Sequence, residues 1–125
     1  MNSFENTINI NTLISELDYL LSKNDYLSAR DFLEKWASVA QNQNDNKSLF
    51  SLCNECIGLY RKIGDKENCY KYCEKTLDLL KILNIENTVA GATALTNCAT
   101  AYKAFGEAEK SIPLFEKSVS LYETL

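Results

Sequence analysis

The stretch from Cys53 to Cys73, CNECIGLYRKIGDKENCYKYC, decides how the whole chain is read. Its four cysteines are spaced C-x2-C-x12-C-x3-C, a pattern open to a zinc site, a redox pair or plain packing. At its centre lie Gly64 and Asp65. Glycine can end a helix in the left-handed conformation, and an aspartate after it can cap the next helix with a side-chain oxygen. Apolar residues recur three and four apart beyond the turn, where Cys69, Cys73, Thr76, Leu80 and Leu83 trace one helix face. The segment therefore reads as two helices joined by a tight turn.

Similar turns lie on both sides. KNDY offers Asn24 and Asp25, and FGEA offers Gly106 and Glu107, in the same roles. The intervals are 40 residues from Asn24 to Gly64 and 42 from Gly64 to Gly106, which marks an internal repeat. An apolar residue precedes each turn by four: Leu20, Tyr60 and Tyr102. The inward positions of the second helix in each repeat align as Ala29 and Leu33, Cys69 and Cys73, Ser111 and Phe115. Proline occurs once and β-branched runs are lacking, so the fold class is all-α.

In this register the chain resembles the tetratricopeptide family, whose pattern is W-x2-L-G-x2-Y, a turn, then A-x3-F. The third repeat matches with Leu95, Cys98, Ala99 and Tyr102, then Ser111 and Phe115. The second matches with Cys53, Cys56, Ile57 and Tyr60, then Cys69 and Cys73. The first has Leu13, Glu16, Leu17 and Leu20, then Ala29 and Leu33, with Glu16 the weak member. The resemblance covers about residues 12 to 125. It implies one domain, 1–125, built as a right-handed superhelical stack of three helical hairpins and six helices, with repeats at about 10–45, 46–85 and 86–125.

Two features depart from the family. The period exceeds the usual 34 residues by about two helical turns, and the closing proline is missing. The longer form is similar to kinesin-light-chain-like repeats and to helical-repeat domains of some bacterial regulators. The added length is expected to extend each second helix, with Leu77, Leu80 and Leu83 continuing the second hairpin and NQNDN at 42–46 closing the first.

Composition bounds the function. The chain has 125 residues, 46% hydrophobic and 24% charged, and is long enough for one core. A net charge of -4 with scattered Lys and Arg argues against nucleic acid and anionic membranes as partners. The N-terminal MNSFENTINI has neither the basic nor the apolar region of a signal peptide, and no apolar run reaches the roughly 18 residues a membrane helix needs. A cytoplasmic protein is expected.

Histidine is absent, which removes the commonest general base and metal ligand. No dinucleotide or phosphate loop is present among the four glycines. The expectation is therefore a protein without catalytic residues, cofactor or metal.

The register places Cys53, Cys56, Cys69, Cys73 and Cys98 in slots that the family fills with core residues, and free cysteine behaves as a small buried hydrophobe. A disulfide between Cys53 and Cys56 is disfavoured. Helix neighbours three apart hold their Cβ atoms about 5–6 Å from each other, whereas a disulfide needs about 3.8 Å. Zinc stays open as the alternative, because a folded hairpin brings all four sulfurs of the stretch near one another.

The resemblance also implies a concave groove lined by the first helix of each repeat. The matching positions are Asn11, Ser15 and Asp18, then Ser51, Asn54, Glu55 and Gly58, then Thr93, Thr96, Asn97 and Thr100, with Lys62 and Lys103 toward one rim. Asn97 stands where family members often place an amide against a peptide backbone. Gly58 is read either as close approach of a ligand or as mere tolerance, and a solvated face without a ligand is the bland alternative for the whole set.

Relatives that clamp acidic chaperone tails carry Lys, Asn and Arg at slots that here hold Ile14, Asp18, Glu55, Thr93 and Asn97. Asp18 and Glu55 would repel a carboxylate, so a neutral or basic protein or peptide partner is expected. The leading reading is a protein or peptide-binding scaffold. The alternative is a peptide-responsive sensor domain of a larger bacterial regulator.

The last helix still offers Leu114, Val119, Tyr122 and Leu125, and Pro113 lies inside it. An open apolar face is expected there, covered by further repeats of a longer array or by a second copy in a homodimer.

Overall fold

The computed structural model describes residues 7–125. Six helices succeed one another: α1 Ile10–Ser22, α2 Tyr26–Asn42, α3 Asn46–Ile63, α4 Lys66–Ile82, α5 Val89–Ala104 and α6 Ala108–Thr124. No strand occurs among the described residues. Each helix packs on the one before it, and α3 also packs on α5, so the first helices of the second and third hairpins lie side by side.

One turn chemistry recurs five times. Asn24, Asn44 and Asn84 adopt left-handed backbone at φ 55–56°, and Gly64 and Gly106 do so at φ 88° and 84°. In every case the next N–H reaches back to a carbonyl five residues earlier, Asp25 to Leu20, Asp45 to Ala40, Asp65 to Tyr60, Ile85 to Leu80 and Glu107 to Tyr102, at 2.8–3.1 Å. This back-bond satisfies carbonyls that a helix end would otherwise leave unpaired. Asp25, Asp45 and Asp65 then cap the succeeding helices, accepting from the N–H of Ser28, Ser48 and Asn68. Glu107 makes no such side-chain cap.

Asn24, Asn44, Gly64 and Asn84 stand at equal 20-residue steps, so the elementary unit is one helix plus one turn. The long period is therefore shared between both helices of a hairpin, α3 having 18 residues and α4 having 17, rather than added to the second alone. The link from α4 to α5 is the exception to this economy. Thr88 caps α5 by accepting from Gly91 N–H at 3.1 Å, and donates its own proton to Ile85 O at 2.6 Å. This draws the link over Gly91, where a Cβ would lie 2.5 Å from the carbonyl oxygens of both Ile85 and Glu86.

The core runs along all three hairpins. Leu13, Leu17, Leu33, Leu49, Leu52, Ile57, Leu79 and Leu80 are buried, with Ala92, Ala94, Ala99 and Ala101 allowing α5 a close approach to its neighbours. The five cysteines are free and have no exposed surface. Cys69 and Cys98 direct their thiols at the carbonyls of Ile57 and Cys73, at 3.4 and 3.8 Å. No group of three or more His, Cys, Asp or Glu among the described residues is placed to hold a metal ion. Burial pushes the Cys53 thiol up to about 12, because a buried thiolate has no water to solvate it.

A polar tie joins the first two hairpins. Glu34 Oε1 accepts from the hydroxyls of both Tyr60 and Tyr72 at 2.6 Å, and the two rings stack at 5.7 Å between centroids. One oxygen of α2 thus holds α3 and α4 together.

Helix α6 buries only Ser111 and Ser118, while Phe115 and Leu114 are half-buried. Of the face expected to stay open, Val119, Tyr122 and Leu125 are 47–57% exposed, with Ile112 exposed as well, whereas Leu114 packs against the core instead.

Candidate functional site

A groove of about 410 Å³ is walled by α1, α3 and α5. Helix α1 contributes Leu17 and Leu21, α3 contributes Asn54, Glu55, Ile57, Gly58, Leu59, Arg61 and Lys62, and α5 contributes Asn97 and Thr100. The three first helices of the hairpins converge here. On α3, Glu55, Gly58 and Arg61 or Lys62 stand three or four residues apart, so one face of one helix forms the floor.

Five of the eleven residues proposed from the sequence line this groove: Asn54, Glu55, Gly58, Asn97 and Thr100. The rest are placed elsewhere. Asn11, Ser15 and Asp18 are exposed on α1, outside the lining. Ser51 borders a separate hollow with Lys47, Phe50, Leu83, Ile85 and Ala90. Thr93 and Thr96 are engaged by α6, Thr93 Oγ1 lying 2.8 Å from the Tyr122 hydroxyl and Thr96 Oγ1 lying 2.6 Å from Ser118 Oγ. Their hydroxyls also bond back to Val89 O and Ala92 O within α5.

The amides form a short relay. Asn97 Nδ2 donates to Asn54 Oδ1 at 3.2 Å, and Asn54 Nδ2 donates to Phe50 O at 3.3 Å. The relay orients both side chains across the seam between α3 and α5 and leaves Asn97 Oδ1 unused by it. Gly58 has no atom within 4 Å of where a Cβ would stand, so its lack of a side chain keeps the floor open without being forced by packing.

Glu55 is half-buried, and its carboxyl is held above the ordinary carboxylate range by burial first and by the nearby Asp18 charge second. Arg61 and Lys62 bring positive charge to the same groove from the last turn of α3. Lys62 Nζ also lies over the Tyr26 ring, 5.6 Å from its centroid. Lys103 is exposed at the end of α5 and does not line the groove.

Leu17, Leu21 and Arg61 were not among the sequence candidates. Leu21 comes four residues after Leu17 on α1, and Arg61 three after Gly58 on α3, so helical spacing alone extends the stripe to both. No helix among the described residues is long and apolar enough to cross a membrane. No protein-family model matches the chain, and no curated protein aligns with it significantly.

Proposed function

We propose that this chain is a tetratricopeptide-type interaction module, without enzymatic activity, that holds a protein or peptide segment in the groove between α1, α3 and α5. The observation that carries this reading is the convergence of groups suited to a peptide on one open floor. Asn54 and Asn97 offer oriented amides to a peptide backbone, Leu21 offers an apolar wall, and Gly58 leaves room for close approach. Small polar groups among apolar walls fix the orientation of a ligand while burial supplies affinity. The volume falls at the lower end of the roughly 300–1,000 Å³ typical of ligand sites, which suits a short segment.

A neutral or basic partner was expected from Asp18 and Glu55 taken alone. Arg61 and Lys62 bring cations to the same groove, so a uniformly basic partner fits less well than one that also carries negative charge.

The test is selection of a randomised peptide library displayed on phage against the purified protein, and then titration of the selected peptides. Replacing Gly58 by Leu fills the floor with a good helix former, so helicity by circular dichroism is retained while affinity falls about tenfold or more. Peptides that bind this variant undiminished would contradict the groove.

A further inference from the structure

The charges in the groove are separated along α3. Glu55 lies toward one end with Asp18 nearby, and Arg61 and Lys62 lie toward the other, across the open floor at Gly58. Glu55 and Lys62 are about seven residues apart on the helix, or about 10 Å at 1.5 Å per residue. The ion pairs among the described residues are Arg30 with Asp31 and Lys110 with Glu107. The three charges that line the groove, and Asp18 beside it, are therefore without an ionic partner among those residues. A half-buried carboxylate in that condition keeps much of its desolvation cost and gains most from a cation brought to it.

We propose that the groove selects a dipolar peptide segment, an extended stretch with a Lys or Arg side chain at Glu55 and Asp18 and a carboxylate about three residues away at Arg61 and Lys62. The proposal rests on the peptide-binding reading above and adds the charge pattern that the peptide must carry. The spacing comes from the chain itself, since an extended peptide advances about 3.3–3.6 Å per residue and covers about 10 Å in about three.

A segment with cations at both ends gains at Glu55 and is repelled at Arg61, and a segment with carboxylates at both ends meets the reverse. Only a segment of mixed sign is matched at both ends. The raised pKa of Glu55 is in keeping with this, because its ionised form lacks a counter-charge and a bound cation would supply one.

The experiment uses four blocked peptide libraries with two variable central residues: Lys-X-X-Asp, Asp-X-X-Lys, Lys-X-X-Lys and Asp-X-X-Asp. Each is titrated into the wild-type protein, Glu55→Lys, Glu55→Gln and Arg61→Glu, with helicity checked for every variant. At least one mixed library is expected to bind about tenfold tighter than both like-charged libraries. Glu55→Lys is expected to shift the preference to Asp-X-X-Asp, and Arg61→Glu to Lys-X-X-Lys. Glu55→Gln, which removes charge at nearly constant shape, should bring Asp-X-X-Asp level with the mixed library while Lys-X-X-Lys stays the weakest. Equal binding of mixed and like-charged libraries, unaffected by these variants but lost in Gly58→Leu, would overturn the dipolar pattern and leave the peptide groove standing. Absence of binding by every library and by randomised phage peptides would overturn both.

Discussion

At Gly58 an added Cβ meets no atom within 4 Å, whereas at Gly91 it would lie 2.5 Å from two backbone carbonyl oxygens. The same substitution therefore has opposite signs at the two positions. Gly58→Ala is expected to raise stability by about 1 kcal/mol, the difference in helix propensity. Gly91→Ala is expected to lower it by about 1–3 kcal/mol, as overpacking against rigid backbone does. Urea denaturation of the two variants measures both. The need for Gly91 was not legible in the sequence, because it arises from how the link at 83–88 folds back over α5. The cysteines, by contrast, were legible as core residues once the turns had been aligned, since the tetratricopeptide resemblance in that register puts all five in slots the family fills with core residues.

Burial also gives individual residues a signature in pH. The Cys53 thiol is raised from 9.0 to about 12 and the Tyr102 hydroxyl from 10.0 to about 12, each chiefly by desolvation. Burial likewise raises Tyr60 and Tyr72. The unfolded chain releases these protons at ordinary values while the folded chain retains them. Their stabilising contribution is thus complete below pH 9 and is lost as pH rises from 9 toward 12. The urea midpoint should fall steadily over that interval, and a midpoint that stays level would contradict the buried placement.

Among the elements, the turns were the readable part. Asn24-Asp25, Gly64-Asp65 and Gly106-Glu107 carry their left-handed residue in the sequence itself, because Asn and Gly tolerate that backbone, and in the first two Asp caps the next helix. Asn44-Asp45 repeats the first of these, and so reveals that the unit is a single helix with its turn. Ties between elements were not readable. Glu34 is 26 residues from Tyr60 and 38 from Tyr72, and nothing local marks the carboxylate that both hydroxyls reach. Glu34→Ala leaves two tyrosine hydroxyls without their acceptor and should cost about 2–3 kcal/mol. Combining it with Tyr60→Phe and Tyr72→Phe in a double-mutant cycle tests the coupling, with the combined loss expected to fall short of the sum of the single losses. Simple additivity would argue against the tie.

On the scale of the molecule, the three hairpins do two things at once. Both helices of the hairpins supply the core, α3 and α5 most of all, and the first helices also bring α1, α3 and α5 around one groove. The resemblance stated from the sequence implied a groove position for Asn54, Glu55, Gly58, Asn97 and Thr100, and all five line the groove from α3 and α5. It placed Thr93 and Thr96 there too, but α6 packs close enough for Ser118 and Tyr122 to engage their hydroxyls. The position of α6 against α5 is a tertiary fact with no local signal. The exposed stripe of α6, Ile112, Val119 and Tyr122, is the rival surface for any partner.

The measurement that separates the two surfaces is a two-dimensional amide NMR titration with a peptide selected on the wild-type protein. The groove account predicts that shift changes concentrate at Asn54, Glu55, Gly58, Arg61, Asn97 and Thr100, with the side-chain amides of Asn54 and Asn97 among the most affected. Changes confined to Ile112, Val119, Tyr122 and their neighbours, with the groove signals unmoved, would contradict it.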